Sequence, residues 1–453
     1  MTVAQVSAFE GHARRLGHDP SQLVGDAELV SYPSVASYAA LRSLSAATPE
    51  QRRRRQEVFF GPSIAIRQSI GQGVHDRVEA AIFADGVVGP ADEARAMTHF
   101  PFPTRVVSVR YRYVGPGACW DLSVRGERWG LDDRDDIMNV VNVGSLCLAP
   151  GTVVTVRGNL LILIVQRLVC GGDGAEGGQL AILPTPFPVD SRTGPLDGMS
   201  GLDGRDGARG VDGAAARTAP TWLGCDRLTG PVVPGACDGR DGGDGGPGSD
   251  AGRARNGGTG KIAEISIGDL TGALTLVATG GRGGNGGAGG NGGSGGDGGC
   301  GADGQRTLEG MLPPGRGGAG GSGGPGGRGG RGGDGGISSD VFVSLPPEQE
   351  GRLRVLSHPS PGGRGGAGGL GGGAGCIGHP GTPAATPGRP APEVPRWCDL
   401  DPSAAGPDGE DGHDGRARPA PPVFVNERLI EPMPGPAAVK YLQGAVPTEG
   451  EGQ

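Results

Sequence analysis

Lysine is almost missing from this chain: Lys261 and Lys440 are the only two, and the remaining basic residues are arginine. The net charge is -8, so there is no basic excess of the kind nucleic-acid binding needs, and no nucleic acid is expected as a partner. Aromatic residues are only 4% of the 453, too few for a conventional core along the whole length. No stretch approaches the roughly 20 apolar residues of a membrane span. The opening MTVAQVSAFEGHARRLGHDP has no apolar leader core, which predicts a cytoplasmic location or export by a non-classical route. Eight cysteines would suit disulfides, but the missing leader speaks against an oxidising compartment, and spacing leaves their pairing open. There is no CxxC pair for a zinc ribbon, no HExxH, and no GxSxG elbow. Gly260-Lys261 is followed by Ile262 where a P-loop needs Ser or Thr.

What the chain has instead is glycine, 96 of 453 residues, about three times ordinary usage. Residues 280–303 read GGR-GGN-GGA-GGN-GGS-GGD-GGC-GAD, residues 317–337 give seven more GGX triplets, and residues 362–376 about five. A flexible linker would have no reason to keep the third position in phase over eight triplets. A left-handed helix with three residues per turn does have a reason, because it puts every third residue on one edge and leaves two edges of bare backbone for close neighbours. The third positions Arg282, Asn285, Asn291, Ser294 and Asp297, with Arg328, Arg331 and Asp334, suit an edge facing water. These repeats resemble the polyglycine II bundles of phage tail-fibre tip adhesins and of the N-terminal domain of Obg-type GTPases. The resemblance covers about a quarter of the chain and implies a packed glycine bundle without catalytic residues.

Around Gly198–Gly213 and Gly406–Gly415 glycine recurs singly, every third residue, so these segments resemble collagen. Collagen needs long uninterrupted triplets rich in proline, so a collagen-like trimer is disfavoured and the oligomeric state stays open.

The remaining segments divide into a helical N-terminal region (1–100), a β-rich solenoid-like or sandwich domain (101–195), the glycine bundle with interspersed strands (196–420), and a final strand with a Pro-rich tail (421–453). The expected fold class is mainly β with irregular left-handed polyglycine II helices and a small α-helical N-terminal region. Thr48-Pro49-Glu50-Gln51 predicts a capped helix start, running through Arg52–Arg55 and on to Val58-Phe59-Phe60. The four arginines read as a solvated helix end. Another short helix is expected from Asp92 to Met97. Three apolar segments between Val140 and Val169 are broken at Ala149-Pro150-Gly151 and Gly158-Asn159, and this stretch resembles a rung of a right-handed parallel β-helix. Between the glycine runs Ala263, Ile265 and Ile267, then Leu274 and Leu276, Val341-Phe342-Val343 and Val423-Phe424-Val425 predict short strands, so the unit is strand, glycine excursion, strand.

For chemistry the densest cluster is Asp132, Asp133, Asp135 and Asp136, with Asp121 upstream and Trp120 and Trp129 nearby as surfaces on which a sugar could stack. Carboxylates on such a loop suit calcium or acid–base work on a polysaccharide. A solvated turn is the plainer reading. Cys376 and His379 have a ligand-like spacing but lack companions to complete four ligands. The composition therefore points to a structural or adhesive glycine-rich scaffold presenting a rigid surface to a protein or polysaccharide, with no cofactor. An enzyme or carbohydrate-binding protein with an acidic, metal-capable site on the β segment is the alternative.

Overall fold

The computed structural model describes residues 1–57, 79–87, 97, 100–131, 135–172, 177–185, 196–222, 225–385 and 405–431. The chain is mainly β. From β1 (Glu28–Ser31) it passes into β2 (Phe102–Val114), β3 (Cys119–Asp121), β4 (Met138–Leu148), β5 (Val153–Arg157), β6 (Leu160–Cys170) and β7 (Gly178–Leu183). It continues with β8 (Ala263–Ile267), β9 (Leu274–Thr279), β10 (Val341–Ser344), β11 (Leu353–His358), β12 (Val423–Val425) and β13 (Arg428–Ile430). From β2 to β12 successive strands alternate between two sheets. The larger is ordered β1-β2-β4-β6-β8-β10-β12-β13 and the smaller β11-β9-β7-β5-β3, with β2 to β12 and all of the smaller sheet parallel. The expected division at residue 195 therefore does not separate two sheets, because the strands between the glycine runs extend the same pair of sheets that the 101–195 segment begins. Among the described residues no helix is long and apolar enough to cross a membrane.

Register explains why the apolar residues fall where they do. In the larger sheet Val107, Val141, Leu163, Ile265, Val343 and Val425 are lateral neighbours, and in the smaller sheet Trp120, Val154, Leu180, Leu276 and Val355 are. These two ladders meet in one buried core between the sheets. Such parallel strands are buried on both faces, so their sequences run apolar almost continuously. Corners form where expected: Gly151 and Gly158 take φ of 71° and 69°, conformations that a side chain resists. Asn159, beside the second corner, accepts from Val124 N at 2.7 Å and donates to Val124 O at 3.0 Å, so the corner clamps the preceding turn of chain.

The opposite face of the larger sheet is covered by the N-terminal region. Helices α1 (Val3–Arg15), α2 (Tyr38–Leu44), α3 (Pro49–Arg55) and α4 (Glu79–Phe83) belong to it, and its strand β1 pairs antiparallel with β2. The Thr48–Gln51 capping box is formed. Residues 58–60 and 92–96, where a helix continuation and a further helix were expected, lie outside the described residues. On this face the ladder reads Val106, Val140, Ile162, Glu264, Phe342, Phe424, a carboxylate among apolar neighbours. Its partner is Arg55. The guanidinium, 1% exposed, bonds Glu264 at 2.9 Å and Glu427 at 3.2 Å and lies 4.6 Å from the Phe342 ring centre. The arginine run is thus only partly a solvated helix end: Arg53 and Arg54 are exposed, but Arg55 is the buried tie between α3 and the sheet.

Glu427 sits at φ 61° in the β12–β13 turn, where glycine would normally stand. Its contact with Arg55 accounts for a glutamate there. Burial pushes its carboxyl above the ordinary 4.5, more than Arg55 beside it draws it down. A carboxyl raised in this way contributes stability that is complete below about pH 4.5 and is lost as pH climbs through the higher folded value. Glu427→Gln is expected to flatten this decline in urea melts taken at stepped pH, and an unaltered slope would remove Glu427 as its source.

Each glycine excursion leaves the smaller sheet and returns to the larger one. There are three hairpin-like pairs: runs one (196–213) and two (237–258) between β7 and β8, runs three (280–304) and four (315–337) between β9 and β10, and runs five (361–382) and six (405–418) between β11 and β12. Runs one, three and five are parallel to one another and form one layer, and runs two, four and six form an antiparallel second layer. The triplet Gly292-Gly293-Ser294 shows how the backbone is satisfied. Gly292 N donates to Leu370 O in run five at 2.8 Å, Gly293 N to Gly246 O in run two at 2.9 Å, and Ser294 N to Asp206 Oδ1 in run one at 2.8 Å. All three amides leave for different runs, which answers the demand that buried backbone groups be paired.

Glycine usage follows the number of neighbours. Runs three and four each have four bonded neighbours and carry two glycines per triplet. Among the described residues runs one and six have two bonded neighbours and carry one, so the collagen-like triplets stand at the corners of the bundle. The cause is spacing. Strands β7, β9 and β11 lie side by side at about 4.8 Å, and the excursions leave them at that separation. A Cβ on Gly293 would stand 2.0 Å from Arg205 O, and one on Gly292 1.9 Å from Gly324 O.

The third positions do more than face water. Asp203, Asp206 and Asp212 accept the amides of Asn291, Ser294 and Cys300, and Asn285, Asn291 and Asp297 in turn accept those of Arg364, Leu370 and Cys376. In the second layer Asp244 and Asp250 accept from Ser322 and Arg328. Between them Pro247 stands beside Pro325, which stands beside Pro407, with Gly248 N bonded to Pro325 O and Gly326 N to Pro407 O, both at 2.9 Å. Proline has no N–H, and no acceptor is supplied for it.

Candidate functional site

Of the residues singled out in the β segment, Trp120, Asp121, Trp129 and Asp136 each make contacts of their own. Trp120 is 7% exposed in the core between the sheets, with the Arg112 guanidinium 5.1 Å from its ring centre, so it offers no open face to a sugar. Trp129 is half-buried, edge-on to Tyr32 at 5.7 Å. Asp121 is exposed at the end of β3 and accepts from Ser123 N at 2.9 Å and Thr155 Oγ1 at 3.2 Å, tying β3 to β5. Asp136 is buried and paired with Lys261, the strand-leading lysine before β8. Asp135 is exposed, and Asp132 and Asp133 lie outside the described residues. Among the described residues no three His, Cys, Asp or Glu side chains gather as metal ligands, and Cys376 and His379 merely occupy successive outward positions of run five. Cys119, Cys147, Cys170, Cys225, Cys237 and Cys300 are free thiols, and burial pushes Cys170 up to about 12, which makes it a poor nucleophile at neutral pH.

A different region gathers exposed chemistry: the distal tip of the bundle, where runs one and two, and runs three and four, turn back. Two small hairpins form there. Thr218–Pro220 pairs with Asp226–Leu228, and Gln305–Thr307 with Gly310–Leu312, and the two join in parallel through Asp226 and Thr307 into a four-stranded sheet. Thr218 Oγ1 donates to Asp226 at 3.0 Å within the first hairpin, and Leu228 N donates to Glu309 at 3.3 Å, tying the first hairpin to the second. The bonds that Glu309 accepts from backbone N–H groups keep its carboxyl below its usual range, so it is ionised at neutral pH. Beside the sheet lies a groove of about 660 Å³, lined by Ala216, Pro231, Val233, Pro234, Gln305 and Leu312 among others. Trp222 is 92% exposed at one end of the sheet, and Val233, Leu308 and Met311 are exposed at 61, 47 and 58%.

Sequence reasoning passed over this tip. Its signal is the interruption of the glycine phase: at residues 214–236 and 305–314 the triplets stop and apolar residues appear. Comparison of the chain with family models, with curated proteins and with solved structures gives no match.

Proposed function

We propose that this chain is a non-enzymatic, adhesive scaffold: a β-solenoid whose turns carry polyglycine II hairpins, which hold a binding tip away from the body. The observation that carries this reading is the pairing of every amide in triplets such as Gly292-Gly293-Ser294 with three different runs, combined with spacing that admits no side chain. Alternation of successive parallel strands between two sheets supports the solenoid part. The left-handed helical reading draws support from φ: no described glycine of the runs is among those with positive φ, as polyglycine II requires. At about 3.1 Å per residue, run three would then carry the tip roughly 75 Å from β9. Partners remain those expected of an exposed surface, a protein or a polysaccharide.

Hydrogen exchange tests the scaffold. Amides of residues 281–336 are expected to exchange as slowly as those of β6, and exchange within seconds across the runs would overturn it.

A further inference from the structure

We propose that the open edge of the tip sheet takes up an extended, acidic and apolar segment of a partner protein as a further strand. The inference rests on the scaffold reading, in which the arms hold the tip in one geometry. Gly310–Leu312 is an edge strand, bonded only to Gln305–Thr307 among the described residues. The turn between them has two residues, Leu308 and Glu309, so its closing pair, Thr307 and Gly310, faces inward across the ladder. The next pair faces the other way, which directs the N–H and C=O of Met311 to the open side. Edge strands of this kind are templates for pairing with another chain.

The side chains indicate what that chain carries. Register places Arg306 beside Met311 and Arg227 beside Ala219, and alternation puts Arg227, Arg306, Met311 and Ala219 on one face of the sheet. The face is exposed at Arg227, Arg306 and Met311. Arg227 lies within electrostatic reach of Glu309 in the turn, whereas Arg306 forms no ion pair among the described residues. Of the nearby acidic residues, Asp226 belongs to the opposite face, where it accepts from Thr218, and Glu309 in the turn accepts from Leu228 N. A strand added beside Met311 would set alternate side chains over this face, an apolar one against Met311 and a carboxylate within reach of Arg306. Main-chain bonds then supply affinity and the alternation supplies selectivity. A neutral sugar would leave Arg306 uncompensated, and the aliphatic exposure at Leu308 and Met311 favours a polypeptide over an anionic polysaccharide.

The test uses the full chain and a fluorescent nonapeptide that alternates glutamate with valine and leucine, followed by anisotropy. Saturable binding is expected, with none for the counterpart carrying lysine at the glutamate positions. Arg306→Glu is expected to weaken binding roughly tenfold by charge reversal. Met311→Pro removes the outward N–H at an edge position where proline is tolerated, and a similar loss is expected. Hydrogen exchange on each variant checks that the arms remain protected. No peptide binding, binding that both variants leave unchanged, or displacement of the peptide by polygalacturonate through the same two residues would overturn the proposal. If the arms of the unaltered protein exchange freely, it is the scaffold reading that fails, a result distinct from intact arms with an inert tip.

Discussion

Gly293→Ala is expected to cost about 3 kcal/mol or more, the upper range for forcing volume into a packed interior. The new Cβ would meet a carbonyl oxygen of run one at 2.0 Å, and that run is itself bonded to runs two and three. Nothing at the contact is the free end of a side chain, so the clash must be relieved by parting two backbones. Hydrogen exchange is the measurement: protection across residues 281–336 should fall sharply, while β4 and β6, which belong to the sheets, keep theirs. Ser294→Ala is the control. Its side chain stands outside, its amide still reaches Asp206, and protection should be unaltered. Equal protection in both variants would mean that the runs are not packed as close as described.

Arg55→Met is expected to destabilise the chain by about 3–5 kcal/mol, the range for breaking a buried ion pair from one side. Glu264 and Glu427 would be left facing each other at 2 and 6% exposure with the cation gone. Ser45 Oγ and Ala46 N still donate to Glu264, at 2.9 Å each, so the loss is incomplete compensation and not total exposure. The triple variant Arg55→Met, Glu264→Leu, Glu427→Gln should recover most of the stability, since Ile162 and Phe342 already flank position 264 with apolar surface. Urea unfolding followed by circular dichroism measures both. A single variant within 1 kcal/mol of the unaltered protein would show that the triad is energetically idle, as surface pairs often are (about 0–1 kcal/mol).

The strands between the glycine runs were legible almost to the residue, whereas β1 and β7 were not. Val-Phe-Val at 341 and 423, the alternation at 263–267, and the corners at Gly151 and Gly158 announce themselves because β-branched runs and turn residues act locally. Membership of the sheets was not legible. A period of three says that a run has bare edges and is silent on which runs meet them, and nothing in residues 196–262 reveals that β8 lies beside β6. The buried state of Arg55 was hidden for a related reason. Four consecutive arginines look solvated until a facing strand is found to carry Glu264. Asp136 misled in the opposite direction, because its partner Lys261 is 125 positions away. At the tip, the exposed residues were unremarkable in composition and gained meaning only from the rigid arms that converge there.

The row Pro247, Pro325, Pro407 has a bearing on how such a chain can change length. Each proline is matched to a neighbour that withholds an acceptor, while the flanking rows pair Asp244 with Ser322 and Asp250 with Arg328. Deleting one triplet from run four alone would slide these rows by one step, setting a proline against an aspartate with no N–H to receive and an amide against a proline with no carboxylate to give. Insertions and deletions are therefore permitted only in concert, one triplet in every run that crosses the same level. The arms behave as a vernier, in which the prolines mark the zero.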